Sequence, residues 1–130
     1  MTDLVKKRPK FLNLMVIRLP LAGYASIFHR VSGIGLFLML PLLIWLLDKS
    51  LATPEAYVQF KAVFDCWLVK LILLGLLWSF LHHFCMGIRI LLLDVHVGID
   101  KESAHKSSIA VMAVSLALTA VLGAKLLGIY

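Results

Sequence analysis

Ionisable and hydroxyl side chains gather at the start of the first long apolar stretch of the chain. Ser26, His29, Arg30 and Ser32 fall within seven residues, and the uncharged segment 31–47 begins directly after Arg30. A charged side chain at the edge of a membrane span is costly, so it indicates a functional role. Because Ser26 and Arg30 are four residues apart, a helix would place them on one face. They could then offer a hydroxyl and a guanidinium to a carbonyl oxygen and stabilise an anion formed during electron transfer.

A second polar cluster lies within another apolar stretch. His83 belongs to the uncharged segment 71–88, and Gly87 follows four residues later on the same face of a helix. The missing side chain at Gly87 would leave room for a flat group such as a porphyrin, and histidine is a common axial ligand of haem iron. A histidine hydrogen-bonded to a neighbouring helix is the simpler interpretation, and spacing alone favours it. His82 would point about 100° away from His83, so the two would not share a role.

Arg30 also has simpler interpretations. Its side chain could reach the membrane surface along its apolar stem, or it could pair with Asp94. His29, with Arg30, could instead neutralise carboxylates such as haem propionates. Other polar residues have ordinary predicted roles: Arg89 and Asp94 are solvated or paired at a helix end, and His96 and His105 lie on the surface.

Three uncharged segments of 17 or 18 residues must position these side chains: 31–47, 71–88 and 107–124. Each approaches the roughly 20 residues that cross a bilayer as a helix. The composition, 62% hydrophobic over 130 residues, is too apolar for a soluble domain. We therefore predict an all-α membrane protein with three transmembrane helices, at about 21–47, 66–93 and 107–127. These form one membrane domain, 21–130, behind a basic lead-in at 1–20, and a short surface helix is predicted to begin at Thr53.

The charge distribution predicts the orientation of the chain. The net charge is +6, and six of the 13 Lys and Arg residues precede Val31. With the N-terminus in the cytoplasm, nine Lys and Arg residues lie on the inside and four on the outside. This bias predicts a cytoplasmic N-terminus and a periplasmic C-terminus. Both polar clusters then lie at similar depth in the cytoplasmic half of the membrane, and the positive charge indicates a lipid membrane rather than nucleic acid as partner.

The motifs of the two clusters resemble those of a known family. Ser-x-x-His-Arg-x-Ser-Gly occupies residues 26–33, and His-x-x-x-Gly-Ile-Arg occupies residues 83–89, with Asp94 five residues further on. A basic lead-in containing Arg8 and Pro9 precedes both motifs. In this order, in a chain with three spans, they resemble the cytochrome b556 subunits of succinate dehydrogenase, which anchor respiratory complex II in the membrane.

The resemblance implies a subunit of succinate:ubiquinone oxidoreductase in the bacterial inner membrane, acting in electron transport and the tricarboxylic acid cycle. It implies haem b, with His83 as one axial iron ligand and the other from a second hydrophobic anchor subunit. Ser26 and Arg30 would line the ubiquinone site, and His29 and Arg30 would reach the haem propionates. The remaining partners would be a flavoprotein that oxidises succinate and an iron–sulfur subunit. The chain would have no catalytic residue for succinate and no activity alone.

One position departs from the family pattern. Many relatives carry His directly after Gly-Ile-Arg, whereas this chain has Ile90, so the resemblance leaves one propionate contact without a donor.

Two other functions stay open at this point. A membrane subunit of a quinol:fumarate reductase would differ in quinone type and partner subunits, and a non-catalytic membrane scaffold would lack a haem spectrum.

Overall fold

The computed structural model describes Asn13 and residues 16–129, which form four α-helices joined by short connections. The helices are α1 Leu21–Leu51, α2 Pro54–Phe64, α3 Trp67–Asp94 and α4 Lys101–Leu126. Within the described residues, α1, α3 and α4 are long and apolar enough to cross a membrane. The predicted all-α fold with three membrane-spanning helices is therefore confirmed. Most of the predicted basic lead-in at 1–20, and the last residue, lie outside the described residues.

Helix α1 begins where it was predicted to begin, and both ends of α3 lie close to their predicted positions. α1 begins at Leu21 and α3 lies within one residue of the predicted 66–93. α1 continues to Leu51 rather than ending at about Leu47. Lys49 lies in its last turn, where a cation complements the helix dipole, and the Ser50 hydroxyl donates to the Leu47 carbonyl at 2.7 Å. Polar residues thus extend the helix beyond the apolar segment.

The last helix begins at Lys101 rather than at about Ser107, which corrects the predicted start by six residues. The Asp100 carboxylate caps it by accepting a hydrogen bond from the Ser103 backbone N–H at 2.9 Å. Glu102 in the first turn complements the helix dipole and pairs with Lys106 one turn later. Charged residues therefore form the first turns of α4, ahead of its apolar part.

The short helix α2 begins as predicted. The Thr53 hydroxyl accepts a hydrogen bond from the Ala56 backbone N–H at 3.2 Å, and Pro54 occupies the first helical position. A proline is tolerated there because the backbone N–H that it lacks would have no hydrogen-bond partner within the helix.

The three long helices pack through small and polar side chains. α3 contacts both α1 and α4, and α1 also contacts α4. The largest fully buried side chains are His82, Ser108 and Ser115, and many large apolar side chains face outward. Small and hydroxyl residues let membrane helices approach closely. Large apolar side chains can face outward, because lipid solvates them as well as the protein interior does. This packing places α3 directly against the polar cluster of α1.

Candidate functional site

Two histidines of α3 connect the two polar clusters. His82 Nε2 lies 3.3 Å from the carbonyl oxygen of Ala25, and His83 Nδ1 lies 3.1 Å from the carbonyl oxygen of His29. Ala25 and His29 belong to the first turns of α1. The clusters that were predicted to lie at similar depth are therefore in direct contact.

The hydrogen bonds of His83 determine which ring nitrogen is free. Its Nδ1 faces the His29 carbonyl and lies 3.2 Å from the Ser32 hydroxyl oxygen. That hydroxyl gives its own hydrogen to the same carbonyl at 2.8 Å, so both neighbours of Nδ1 can accept. In the neutral ring Nδ1 then carries the hydrogen, and Nε2 keeps a lone pair that can bind a metal ion. The His29 ring stacks on that of His83, with centroids 4.1 Å apart.

Two glycines shape the surroundings of His83 in opposite ways. At Gly33, an added Cβ would lie 2.9 Å from His83 Cε1, so the close approach of α1 to the ring requires the missing side chain. At Gly87, an added Cβ would meet no atom within 4 Å apart from its two chain neighbours and the backbone of its own helix. The space beside Gly87 that the sequence predicted is thus open. The glycine that touches the imidazole is Gly33, for which the sequence predicted only helix packing.

His82 is fully buried in an aromatic cluster between α1 and α3. Its ring stacks on Trp78, with centroids 5.4 Å apart, and meets Phe28 edge to face. Within the described part of the chain, two buried atoms of this cluster have no hydrogen-bond partner: His82 Nδ1 and Trp78 Nε1. The sequence assigned His82 no role. Its placement in a run of apolar residues was the only signal that it would be buried.

The predicted quinone residues lie one turn apart at the edge of the same contact. Ser26 is half-buried and Arg30 is exposed. Among the described residues neither side chain forms a hydrogen bond or an ion pair, so the alternative pairing of Arg30 with Asp94 is not seen. Both side chains are available to a ligand or another subunit.

Arg89 differs from its sequence-based interpretation as a solvated or ion-paired residue. It is buried, and its guanidinium joins α3 to α4. Nε donates to the Ser107 hydroxyl at 2.9 Å, and a terminal nitrogen donates to the Ala104 carbonyl at 3.2 Å. The physical reason for the difference is the early start of α4, which places these acceptors beside the guanidinium.

The other polar residues follow their predictions. His96 and His105 are exposed, and Asp94 is exposed at the end of α3. Ile90, where many relatives carry histidine, packs against the core cluster of Ala25, Met86 and Val111. An apolar side chain at this position therefore contributes to the packing between helices.

Comparison with known proteins identifies the family. A family model described as succinate dehydrogenase/fumarate reductase transmembrane subunit matches residues 5–122. The chain belongs to this family. The match confirms the resemblance carried by the two motifs, and it agrees with the three helices that can cross a membrane.

Individual relatives carry one shared name. The succinate dehydrogenase cytochrome b556 subunit of Paracoccus denitrificans is 38% identical over 111 residues, which cover 85% of this chain and 85% of that protein. The protein of the same name from Rickettsia felis is 29% identical over 120 residues, covering 92% and 94%. That from Coxiella burnetii is 35% identical over 91 residues, covering 68% and 72%. The chain is thus a transmembrane subunit from a family of oxidoreductase complexes.

Proposed function

We propose that this chain is the membrane-anchoring cytochrome b subunit of a succinate:ubiquinone oxidoreductase. It would hold haem b together with a second anchor subunit and form part of the ubiquinone-reduction site. The observation that carries the proposal is the hydrogen bond from His83 Nδ1 to the His29 carbonyl, which leaves Nε2 free for iron. The name shared by the relatives, cytochrome b556 subunit, supports the same cofactor.

His83 would be the residue of this chain that binds the haem iron. When bound, haem supplies an iron that takes up and returns single electrons. A hydrogen bond from the second ring nitrogen of a ligating histidine to a carbonyl fixes its tautomer and raises its basicity. The open space beside Gly87 supports a flat group on this face of α3. A second iron ligand would come from the other hydrophobic anchor subunit.

His29 and Arg30 would neutralise the haem propionates. The stacking of His29 on His83 keeps its imidazole beside the proposed iron ligand. The exposed guanidinium of Arg30 supplies a fixed positive charge on the next residue. Ile90 packs in the core and offers no donor, so the propionate contacts from this chain would come from His29 and Arg30.

Ser26 and Arg30 would bind the quinone head group. Their spacing of four residues places them on one face of α1. The Ser26 hydroxyl would donate a hydrogen bond to a quinone carbonyl. The Arg30 guanidinium would stabilise the negative charge that develops on a quinone oxygen during reduction.

Succinate oxidation would belong to other subunits. A flavoprotein would oxidise succinate, and an iron–sulfur subunit would pass the electrons to the quinone. Both would dock on the cytoplasmic side of the bacterial inner membrane. The nine-to-four bias of Lys and Arg residues favours the same side for the N-terminus and for both polar clusters. The chain alone would have no activity.

Replacing His83 with Ala in the purified complex tests the proposal. We expect the b-type signal in the reduced-minus-oxidised absorption spectrum to be lost or distorted, because the iron loses its ligand from this chain. His96→Ala is the matched control, since His96 is exposed in a connection outside the helices. An unaltered spectrum in His83→Ala would refute the ligand assignment. A wild-type complex without any haem signal would instead support a membrane scaffold.

The family description also includes fumarate reductases. Comparing the rates of succinate oxidation by ubiquinone and of fumarate reduction by a low-potential quinol in the same complex separates the two directions. We expect succinate oxidation to be the faster reaction.

A further inference from the structure

Consecutive histidines of α3 hold two backbone carbonyls of α1 that lie one helical turn apart. His82 reaches the carbonyl of Ala25, and His83 reaches that of His29. Residues four apart lie on one face of an α-helix, so both hydrogen bonds fall on the same side of α1. The two contacts together define the rotation of α1 about its axis at this turn.

Ser26 follows directly after the carbonyl that His82 holds. Among the described residues the Ser26 side chain has no hydrogen bond of its own, so its direction depends on how the backbone of α1 is oriented. A rotation of α1 would move the Ser26 hydroxyl sideways relative to α3. The hydrogen bond at Ala25 opposes such a rotation.

His82 is enclosed at the point where it contacts α1. Its side chain is 0% exposed, and its ring is enclosed by Trp78 and Phe28. Since a carbonyl oxygen only accepts, His82 must donate through Nε2–H. Nδ1 is then an acceptor without a partner in the described structure. The ring therefore makes a single directional contact, and that contact is with α1.

We propose that His82 is a positioning residue of the quinone site. Its Nε2–H holds the Ala25 carbonyl and thereby sets the angle at which Ser26 presents its hydroxyl to the quinone head group. His82 itself does not touch the quinone. This inference rests on the proposed quinone role of Ser26.

A pair of variants with nearly the same shape isolates the hydrogen bond. His82→Gln retains an amide N–H at about the reach of the imidazole Nε2, whereas His82→Met has no donor. Each is measured in the assembled complex with a short-chain ubiquinone, with the haem spectrum and succinate-dependent reduction of a soluble dye as measures of assembly. We expect His82→Met to raise the KM for ubiquinone about threefold to tenfold, the effect of losing one net hydrogen bond. His82→Gln should stay within about twofold of wild type, and the spectrum and dye reduction should not change.

Two further variants keep the test decisive. Trp78→Phe retains the ring stacked on His82 and should leave the KM for ubiquinone unchanged. His82→Asn keeps a polar side chain but is too short to reach Ala25, so it should raise the KM as His82→Met does, even if the methionine variant does not assemble. Loss of haem in both His82→Met and His82→Asn would overturn the proposal, because His82 would then act on the packing around His83.

Ser26→Ala separates this inference from the proposed quinone site. If Ser26→Ala raises the KM for ubiquinone while His82→Met does not, the site stands and the positioning role is wrong. If Ser26→Ala has no effect, the quinone role itself is wrong. The expected result is an increase in both variants, with no further increase when they are combined, because residues that act through one contact are not additive. An impaired His82→Gln would also overturn the inference.

Discussion

At the scale of single residues, the two neighbouring histidines of α3 are distinguished by the ring nitrogen that each commits to α1. His83 uses Nδ1 and keeps Nε2 free, which is the arrangement of a metal ligand supported by a carbonyl. His82 uses Nε2, and its free Nδ1 is buried among aromatic rings. The two side chains leave α3 about 100° apart, so each meets a different carbonyl of α1. Hydrogen bonding thus favours His83 over His82 as the proposed haem ligand, on grounds that do not depend on the family.

Gly33 provides a test of the close approach between α1 and the His83 ring. Gly33→Ala places a Cβ 2.9 Å from His83 Cε1, so the imidazole must move. We expect a cost of about 1–3 kcal/mol in helix packing, as for other overpacked sites. The measured result should be a shifted haem potential or weaker haem retention in the purified complex.

Gly35→Ala is the matched control for this substitution. It lies on the same helix, two residues further on, where a Cβ meets no atom within 4 Å. Because alanine favours helix more than glycine does, this variant should be neutral or slightly stabilising. Equal haem behaviour in the two alanine variants would contradict the role assigned to Gly33.

The residues of the proposed site and its surroundings differ in how far the sequence could indicate them. Ser26, Arg30 and His83 stand out as candidates because polar groups are rare in membrane spans. Burial of Arg89 and the hydrogen bond of His82 depend on which carbonyl or hydroxyl of another helix faces them. No pattern within one helix specifies that neighbour.

At the scale of elements, the N-terminus of α4 depends on one carboxylate. Asp100 accepts from the Ser103 N–H, and the nearby Ser103 hydroxyl, followed by this backbone N–H, holds the pKa of the Asp100 carboxyl below its usual range. The stabilisation is therefore fully present at neutral pH and is lost as the pH falls through the lowered pKa of the folded protein. We expect Asp100→Ala to fray the first turn at neutral pH, measured as faster deuterium exchange at the Ser103 amide.

Asp100→Asn is the control for this prediction, because asparagine is an equally good N-cap without a titrating carboxyl. In this variant the Ser103 amide should exchange slowly at neutral pH. Acidification should not remove the protection given by residue 100, whereas in the wild type it should. Equal exchange in the alanine variant and wild type would show that the cap does not hold the turn.

Helix ends were harder to predict than the spans themselves. The apolar segments located all three spans, because hydrocarbon excludes charge. They gave no information about charged turns that continue a helix into water, such as 101–106, where the cap at Asp100 decides the start. The start of α2 was predictable because the capping residue Thr53 is followed by a proline at the first helical position.

At the scale of the whole molecule, three spans with a small polar core leave most of the apolar surface facing outward. Ser115 follows Ser108 by seven positions on α4, so these buried hydroxyls lie about two turns apart on one face of the helix. Both hydroxyls donate to carbonyls of their own helix, at Ala104 and Met112, so burial leaves neither unsatisfied. Such packing leaves the outer surface to lipid and to the second anchor subunit proposed above.

Orientation is the property of the whole molecule on which the proposed docking of the catalytic subunits depends. With the N-terminus inside, nine Lys and Arg residues lie on the cytoplasmic side and four on the other. A reporter enzyme that is active only in the periplasm, fused after Tyr130, should therefore be active. The same reporter fused after Gly98, between α3 and α4, should be inactive, since one span fewer precedes it. The opposite pattern would place Ser26, Arg30 and His83 in the periplasmic half, out of reach of subunits that oxidise succinate in the cytoplasm.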